Sequence, residues 1–285
     1  MSYIGLITLI FLFTGCQLDG VKEKVKGANG KNEKVNSDFQ SSNLKGKKGL
    51  TPKKTIKEKV LGNELKITWF EKGKGSLIES QELIFIDYEL FLLNGKLIDG
   101  NERVGIPSVP FLVDYGMQTP GWDIAMKQLR VGDFVEIYIP ASLARGEKGI
   151  EGLIPPNSVN ILRLKIVSKL PPTKTIDGTK VWLLEKSELP QKIASKESEL
   201  RFHYTVGTAS NPRYDMSYRK NIPFSMRFSD NGIVKGLKKA LENRAKYDRL
   251  WVIVPPSQAY GNEGFLDLVK PNEALFYDIY ITDIL

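Results

Sequence analysis

Gly121-Trp122-Asp123-Ile124-Ala125-Met126-Lys127-Gln128-Leu129 leads through Val131-Gly132-Asp133, Ile139-Pro140 and Ala144-Arg145-Gly146 to Ile154-Pro155-Pro156-Asn157, and the skeleton of this stretch occurs twice. Gly121 has a counterpart in Gly236, Pro140 in Pro255, Gly146 in Gly261, Gly149 in Gly264, Pro156 in Pro271 and Asn157 in Asn272, each pair 115 positions apart. Upstream, Tyr88 and Asp99 recur as Tyr204 and Asp215 at a spacing of 116, and Phe111 as Phe224 at 113, the drift that changes in loop length produce. Glycine and proline set backbone dihedrals, so their recurrence at one offset means that the same turns recur. The chain is a duplicated domain, and two units are too few for a solenoid.

Each unit has a legible outline. Leu83 to Leu92, Leu200 to Val206, Phe134 to Ile139 and Leu250 to Val254 are rich in β-formers and bounded by turn residues, which predicts strands. From Ile161 to Val167, Leu162, Leu164 and Ile166 alternate with Arg163 and Lys165, the period of a half-buried strand. Trp122, Ala125, Met126 and Leu129 recur at helical spacing behind Pro120, which suits a helix start, and Leu237, Ala240 and Leu241 repeat the stripe. The expected architecture is an α+β domain, an antiparallel sheet with one short helix on a face.

The ordered set Gly121-Trp122, Val131-Gly132-Asp133, Ile139-Pro140, Ala144-Arg145-Gly146 and Ile154-Pro155-Pro156-Asn157 resembles the second half of an FKBP-type peptidyl-prolyl cis-trans isomerase domain. The second copy shows Gly236-Leu237, Val254-Pro255, Ala259-Tyr260-Gly261 and Pro271-Asn272, and the likeness covers about Leu65 to Ser168 and Glu199 to Leu285. The resemblance implies two FKBP-like domains, each a half-wrapped antiparallel β-sheet of five strands packed on a short α-helix. It also implies a pocket floored by the helix tryptophan and walled by aromatics. Carried over by position, the first pocket comprises Tyr88, Ile98, Asp99, Phe111, Gln118, Thr119 through its backbone N–H, Trp122, Arg145, Ile154 and Leu162. The second comprises Tyr204, Tyr214, Asp215, Phe224, Ile233, Val234, Leu237, Tyr260, Val269 and Tyr277. Arg145 stands where the family usually has a tyrosine, Gln118 and Thr119 replace an apolar pair, Leu237 replaces the tryptophan, and Lys270 replaces the first proline of the loop. Proline-containing polypeptides are the implied clients, and no cofactor or metal is implied. The rival expectation is a catalytically weak peptide-binding module or chaperone that uses the same pockets.

Composition removes other chemistries. Cys16 is the single cysteine and His203 the single histidine, so zinc clusters, Cys-His catalysis and an intrachain disulfide all lack a partner. His203 falls in an alternating apolar segment and reads as a strand residue. Of the formal net charge of +8, most lies between Gln17 and Val60, where 12 lysines face five acids. Phe39 is the only aromatic there, so the stretch lacks the rings that stack on bases and is read as a solvated segment without nucleic-acid binding.

Ile4 to Phe13 is an apolar run too short to span a bilayer core of ~30 Å and of the length of a secretory h-region. It ends at Phe13-Thr14-Gly15-Cys16, which resembles a bacterial lipoprotein signal and implies a membrane anchor on a lipidated Cys16, facing the extracytoplasmic side of the cell envelope. An ordinary signal, or a short uncleaved anchor with an incidental cysteine, is the alternative. The expected organisation is a signal peptide over 1–15, a disordered basic linker over 16–60, and FKBP-like domains over 61–170 and 171–285. Nothing in the sequence sets the oligomeric state, and a monomer is compatible with it.

Overall fold

The computed structural model describes residues 49–187 and 192–285. The expected signal peptide, the lipidated Cys16 and the linker as far as residue 48 lie outside the described residues. The chain divides into two compact units, the first comprising residues up to Val113 and Met117–Lys169, the second Asp114–Gly116 and Leu170–Leu285.

The first unit is built on β1 (Lys57–Val60), β2 (Lys66–Glu71), β3 (Leu83–Leu92), β4 (Leu97–Gly100), β5 (Val109–Leu112), β6 (Phe134–Ile139) and β7 (Asn160–Leu170). They form one antiparallel sheet in the order β1-β2-β6-β7-β3-β4, with β5 paired to β3. Two short helices interrupt it, α1 (Asn101–Val104) and α2 (Pro120–Met126). The second unit repeats the plan with β8 (Lys174–Ile176), β9 (Thr179–Glu185), β10 (Glu199–Gly207), β11 (Asp215–Met216), β12 (Phe224–Arg227), β13 (Arg249–Val254), β14 (Leu275–Ile284) and α3 (Lys235–Leu241). Its sheet order is β11-β10-β14-β13-β9-β8, with β12 paired to β10.

The α+β expectation holds, with seven strands per sheet instead of five. β1 falls inside the stretch read from sequence as linker, so the ordered fold begins before residue 60. Four successive residues of β2, Ile67 to Phe70, lack the alternation expected of a strand because the pairing with β6 slips between Trp69 and Glu71. A bulge of this kind turns two consecutive side chains toward the same side.

α2 and α3 press against their sheets through glycine. A Cβ on Gly121 would come within 2.4 Å of Ile139 Cγ2, and one on Gly236 within 2.4 Å of Val254 Cγ1. The paired loops are superimposable in their bonding. Ile150 N donates to Ile154 O at 2.7 Å and Phe265 N to Val269 O at 2.8 Å, while Asn157 N and Asn272 N donate to Gly146 O and Gly261 O, both at 2.8 Å. Asn157 and Asn272 both take positive φ, 56° and 60°, a region that asparagine tolerates better than most residues.

A buried carboxylate anchors the turn after each of α2 and α3. Asp133 accepts from Trp69 Nε1 at 3.0 Å, Gly73 N at 2.6 Å and Arg130 N at 2.9 Å. Its counterpart Asp248 accepts from Ala245 N at 2.9 Å and Ser187 N at 3.2 Å. His203 lies in β10 as expected, its Nδ1 3.0 Å from Ser217 Oγ and its ring stacked on Tyr218 at 4.6 Å. Burial holds its pKa below the usual histidine range.

Candidate functional site

In the first unit the sheet and α2 bring three rings together. Trp122, on the buried face of α2, lies edge-on to Tyr88 of β3 at 5.3 Å and stacks on Phe111 of β5 at 5.8 Å. Tyr88 is oriented by its hydroxyl, which donates to Asp99 Oδ2 at 3.0 Å, and by its backbone N–H, which donates to Asn101 Oδ1 at 2.6 Å. Arg103 Nε donates to Asp99 Oδ1 at 2.9 Å, so both oxygens of this buried carboxylate are engaged. Burial first, and then the Asp99 charge, raise the Tyr88 pKa far above the tyrosine range, and the phenol stays a donor at every physiological pH.

The rim is polar. Arg145 NH2 donates to Gln118 Oε1 at 3.3 Å, beside Thr119, whose Oγ1 is buried without a hydrogen-bond partner. Thr119 also forms the N-terminal boundary of α2, its carbonyl accepting from Trp122 N at 2.9 Å. Ile98, Ile154 and Leu162 are buried.

The second unit keeps the Tyr–Asp wall and changes the floor. Tyr204 of β10 donates its hydroxyl to Asp215 Oδ2 at 2.5 Å, and its backbone N–H donates to Ser217 Oγ at 2.9 Å. Asp215 Oδ1 accepts from the N–H of Met216 at 2.8 Å. Arg219 holds the place of Arg103, yet among the described residues no ion pair joins it to Asp215. Leu237, Val234, Val269 and Tyr277 belong to the core, with Tyr204, Tyr214, Ile233 and Tyr260 packed on them. Phe224 sits edge-on to Tyr204 at 5.8 Å, but it is 37% exposed where Phe111 is 1% exposed. Tyr260 stacks on Phe265 at 4.7 Å. Burial raises the pKa of Tyr204, Tyr214, Tyr260 and Tyr277 alike, so this pocket is ringed by neutral phenols.

The rings and carboxylates read from sequence therefore converge, while Asn101, Arg103 and Ser217, which hold the Tyr–Asp walls in place, were not singled out. Asn101 and Ser217 are 116 positions apart, the same offset as the tyrosines they support, but they differ in residue type and escape a comparison of like with like.

The sequence model of the family described as FKBP-type peptidyl-prolyl cis-trans isomerase matches residues 75–167 and 191–282, together more than half of the chain. The chain belongs to the FKBP-type peptidyl-prolyl cis-trans isomerase family. Apart from Asp114–Gly116, each FKBP match falls within one of the two structural units. Among relatives, peptidyl-prolyl cis-trans isomerase FKBP10 of Mus musculus is 25% identical over 210 residues, 73% of this chain and 35% of that protein. Peptidyl-prolyl cis-trans isomerase Mip of Coxiella burnetii is 31% identical over 110 residues, 39% of this chain and 46% of that one. The chain thus spans about a third of FKBP10 and less than half of Mip. The crystal structure of the three FKBP domains of wheat FKBP73 aligns with 78% of this chain and 94% of its own at 20% identity, with a TM-score of 0.39.

Proposed function

We propose that the chain is a peptidyl-prolyl cis-trans isomerase that assists folding of exported proteins at a bacterial membrane, with proline-containing polypeptides as its clients. The observation that carries this reading is the Tyr88–Trp122–Phe111 ring cluster locked to Asp99. Prolyl isomerisation breaks no bond. It rotates an amide against a barrier of ~18–20 kcal/mol set by resonance. Lowering the barrier by ~5 kcal/mol accelerates the step several thousand-fold. A cavity walled by rings strips water from the amide, which favours the less polar twisted state, and a donor at the rim bonds its carbonyl in the rotated geometry. In the first pocket the Thr119 backbone N–H and the Arg145 guanidinium are the candidate donors, and in the second the Val234 backbone N–H and the Tyr260 hydroxyl. The test is the cis-to-trans rate of a prolyl peptide with the full chain and with Asp99→Ala and Asp215→Ala together. Absence of acceleration by the parent chain refutes the reading.

A second reading has support in the second unit, where a leucine floor and the exposed Phe224 favour holding a client over turning it. A pocket of this kind suppresses aggregation of an unfolded client without altering prolyl rates. For location, Cys16 at the end of the apolar run supports lipidation and anchoring on the extracytoplasmic side of the envelope. Detergent partitioning and mass of the mature chain, compared with Cys16→Ser, test it, and an unmodified Cys16 refutes it.

A further inference from the structure

A cleft of about 380 Å³ opens on the first unit beside β1, where the cations Lys57, Lys59, Lys72 and Arg130 line it together with Ile56 and Leu77. The lining also holds Lys127, which engages a partner of its own, and one carboxylate. That carboxylate, Asp133, is 2% exposed and already accepts three internal hydrogen bonds, so it neutralises nothing at the mouth. Lys57 lies over the Trp69 ring at 5.0 Å and Lys59 reaches Gln128 Oε1 at 2.6 Å, which leaves both charges uncompensated. The register makes the lysines informative. Lys57 pairs with Trp69 and Lys59 with Ile67, both buried, so β1 places cations on the face where the neighbouring strand is apolar. Two aliphatic side chains in the same lining, Ile56 and Leu77, are 61% and 41% exposed.

We propose that this cleft and its aliphatic rim form a docking surface for an anionic phospholipid bilayer, with the cations taking headgroup phosphates and Ile56 and Leu77 entering the interface. Cations interleaved with exposed aliphatics match the chemistry of a charged interface, where phosphates lie directly above acyl chains. The surface is also continuous in sequence with the basic stretch that precedes it, since β1 is the last part of the segment from Gln17 to Val60. Docking of the domain is distinct from the acyl anchor and does not require it. The structural competitor is edge protection, because lysines on an edge strand also discourage pairing with other chains.

The test is sedimentation of the full chain carrying Cys16→Ser with vesicles of phosphatidylcholine alone or with phosphatidylglycerol. The expected result is binding to the anionic vesicles that falls about tenfold or more in Lys57→Glu/Lys59→Glu/Lys72→Glu, and that weakens as salt shortens the screening length from ~10 Å to ~3 Å. Ile56→Ser/Leu77→Ser weakens it as well. The apolar run of residues 4–13 is common to every variant and indifferent to headgroup charge, so the readout is the gain in binding from neutral to anionic vesicles, compared between parent and variant. Equal binding by parent and lysine variant leaves the upstream segment as the binder and the lysines as edge protection. Equal binding to neutral vesicles, or full displacement by millimolar inorganic phosphate, also overturns the proposal.

Discussion

Replacing Trp122 by leucine gives the first pocket the floor that the second already has, and its consequences follow from three contacts. Trp122 is 2% exposed, edge-on to Tyr88 at 5.3 Å and stacked on Phe111 at 5.8 Å. Aromatic pairs contribute about 0.5–1.5 kcal/mol each beyond their buried area, so two of them account for ~1–3 kcal/mol. Truncating a buried tryptophan to alanine costs about 3–5 kcal/mol, and leucine restores part of that volume. The expected loss for the first unit is ~2–4 kcal/mol, which lowers its melting transition on the order of 10–25 °C for a domain of ~100 residues. Activity is read separately below that transition. In a background with Asp215→Ala and Tyr260→Ala, which silences the second pocket, kcat/KM for a prolyl peptide falls at least about tenfold, the equivalent of ~1.4 kcal/mol lost from the twisted state. A lower melting point with unchanged kcat/KM refutes the reasoning, since it makes Trp122 a core residue and nothing more.

Three other substitutions or conditions probe the remaining features. Arg145→Tyr is expected to raise kcat/KM for peptides with an aliphatic residue before proline and to lower it for those with glutamate there, measured as the ratio of the two substrates. An unchanged ratio removes the guanidinium from the rim. Asp278→Asn breaks the buried pair in which Arg249 NH2 donates to Asp278 Oδ2 at 2.7 Å, both residues under a tenth exposed, and leaves a buried guanidinium uncompensated. The cost is about 3–5 kcal/mol, seen as an early melting transition of the second unit, whereas a shift of a degree or two contradicts it. Alkali acts on the same unit through its phenols: burial, with Asp278 adding to it, pushes Tyr218 up to about 12, and Tyr204, Tyr214, Tyr260 and Tyr277 are raised as well. A raised pKa on a neutral acid stabilises the fold fully below the ordinary value of 10.0 and ceases to do so as pH climbs through the folded value. Melting temperature should therefore fall from pH 10 upward, with tyrosinate absorbance appearing together with unfolding. A melting temperature that stays level as pH climbs from 10 to 12 rules this out.

What was legible in the sequence is what the backbone alone dictates. Gly121 and Gly236 fit where a Cβ would strike the sheet, and Asn157 and Asn272 share a positive φ, so a comparison at one offset finds both pairs. The alternation of Ile161 to Val167 became the central part of β7 because that strand has one face in the core. β2 was missed for the converse reason: its bulge places Thr68, Trp69 and Phe70 in the interior together and erases the period of two. α1 is a single turn, too short for any helical stripe, although it carries both Asn101 and Arg103 to the pocket.

The two copies differ in a way that separates wall from floor. The Tyr–Asp hydrogen bond is present in both, and in both the tyrosine N–H is held by a side-chain oxygen, from Asn101 in one and Ser217 in the other. The same contact is thus kept by unlike residues, which points to a geometric requirement on the wall itself. The fold places no such requirement on the floor, since tryptophan in one copy answers to leucine in the other while the nearest contact of the helix glycine stays at 2.4 Å, to Ile139 Cγ2 in one and Val254 Cγ1 in the other. Asp99 is further fixed by Arg103, while Asp215 relies on the tyrosine and one backbone N–H. Rigidity of the wall together with a tryptophan floor assigns the tighter, better-organised pocket to the first copy, despite its arginine at the rim. The neutral phenols and exposed Phe224 of the second suit a broader range of apolar segments with weaker discrimination. On the reading proposed above, the first pocket is therefore the one expected to turn prolyl bonds and the second the one expected to retain the client, and the paired Trp122 and Leu237 exchanges are what separate the two roles.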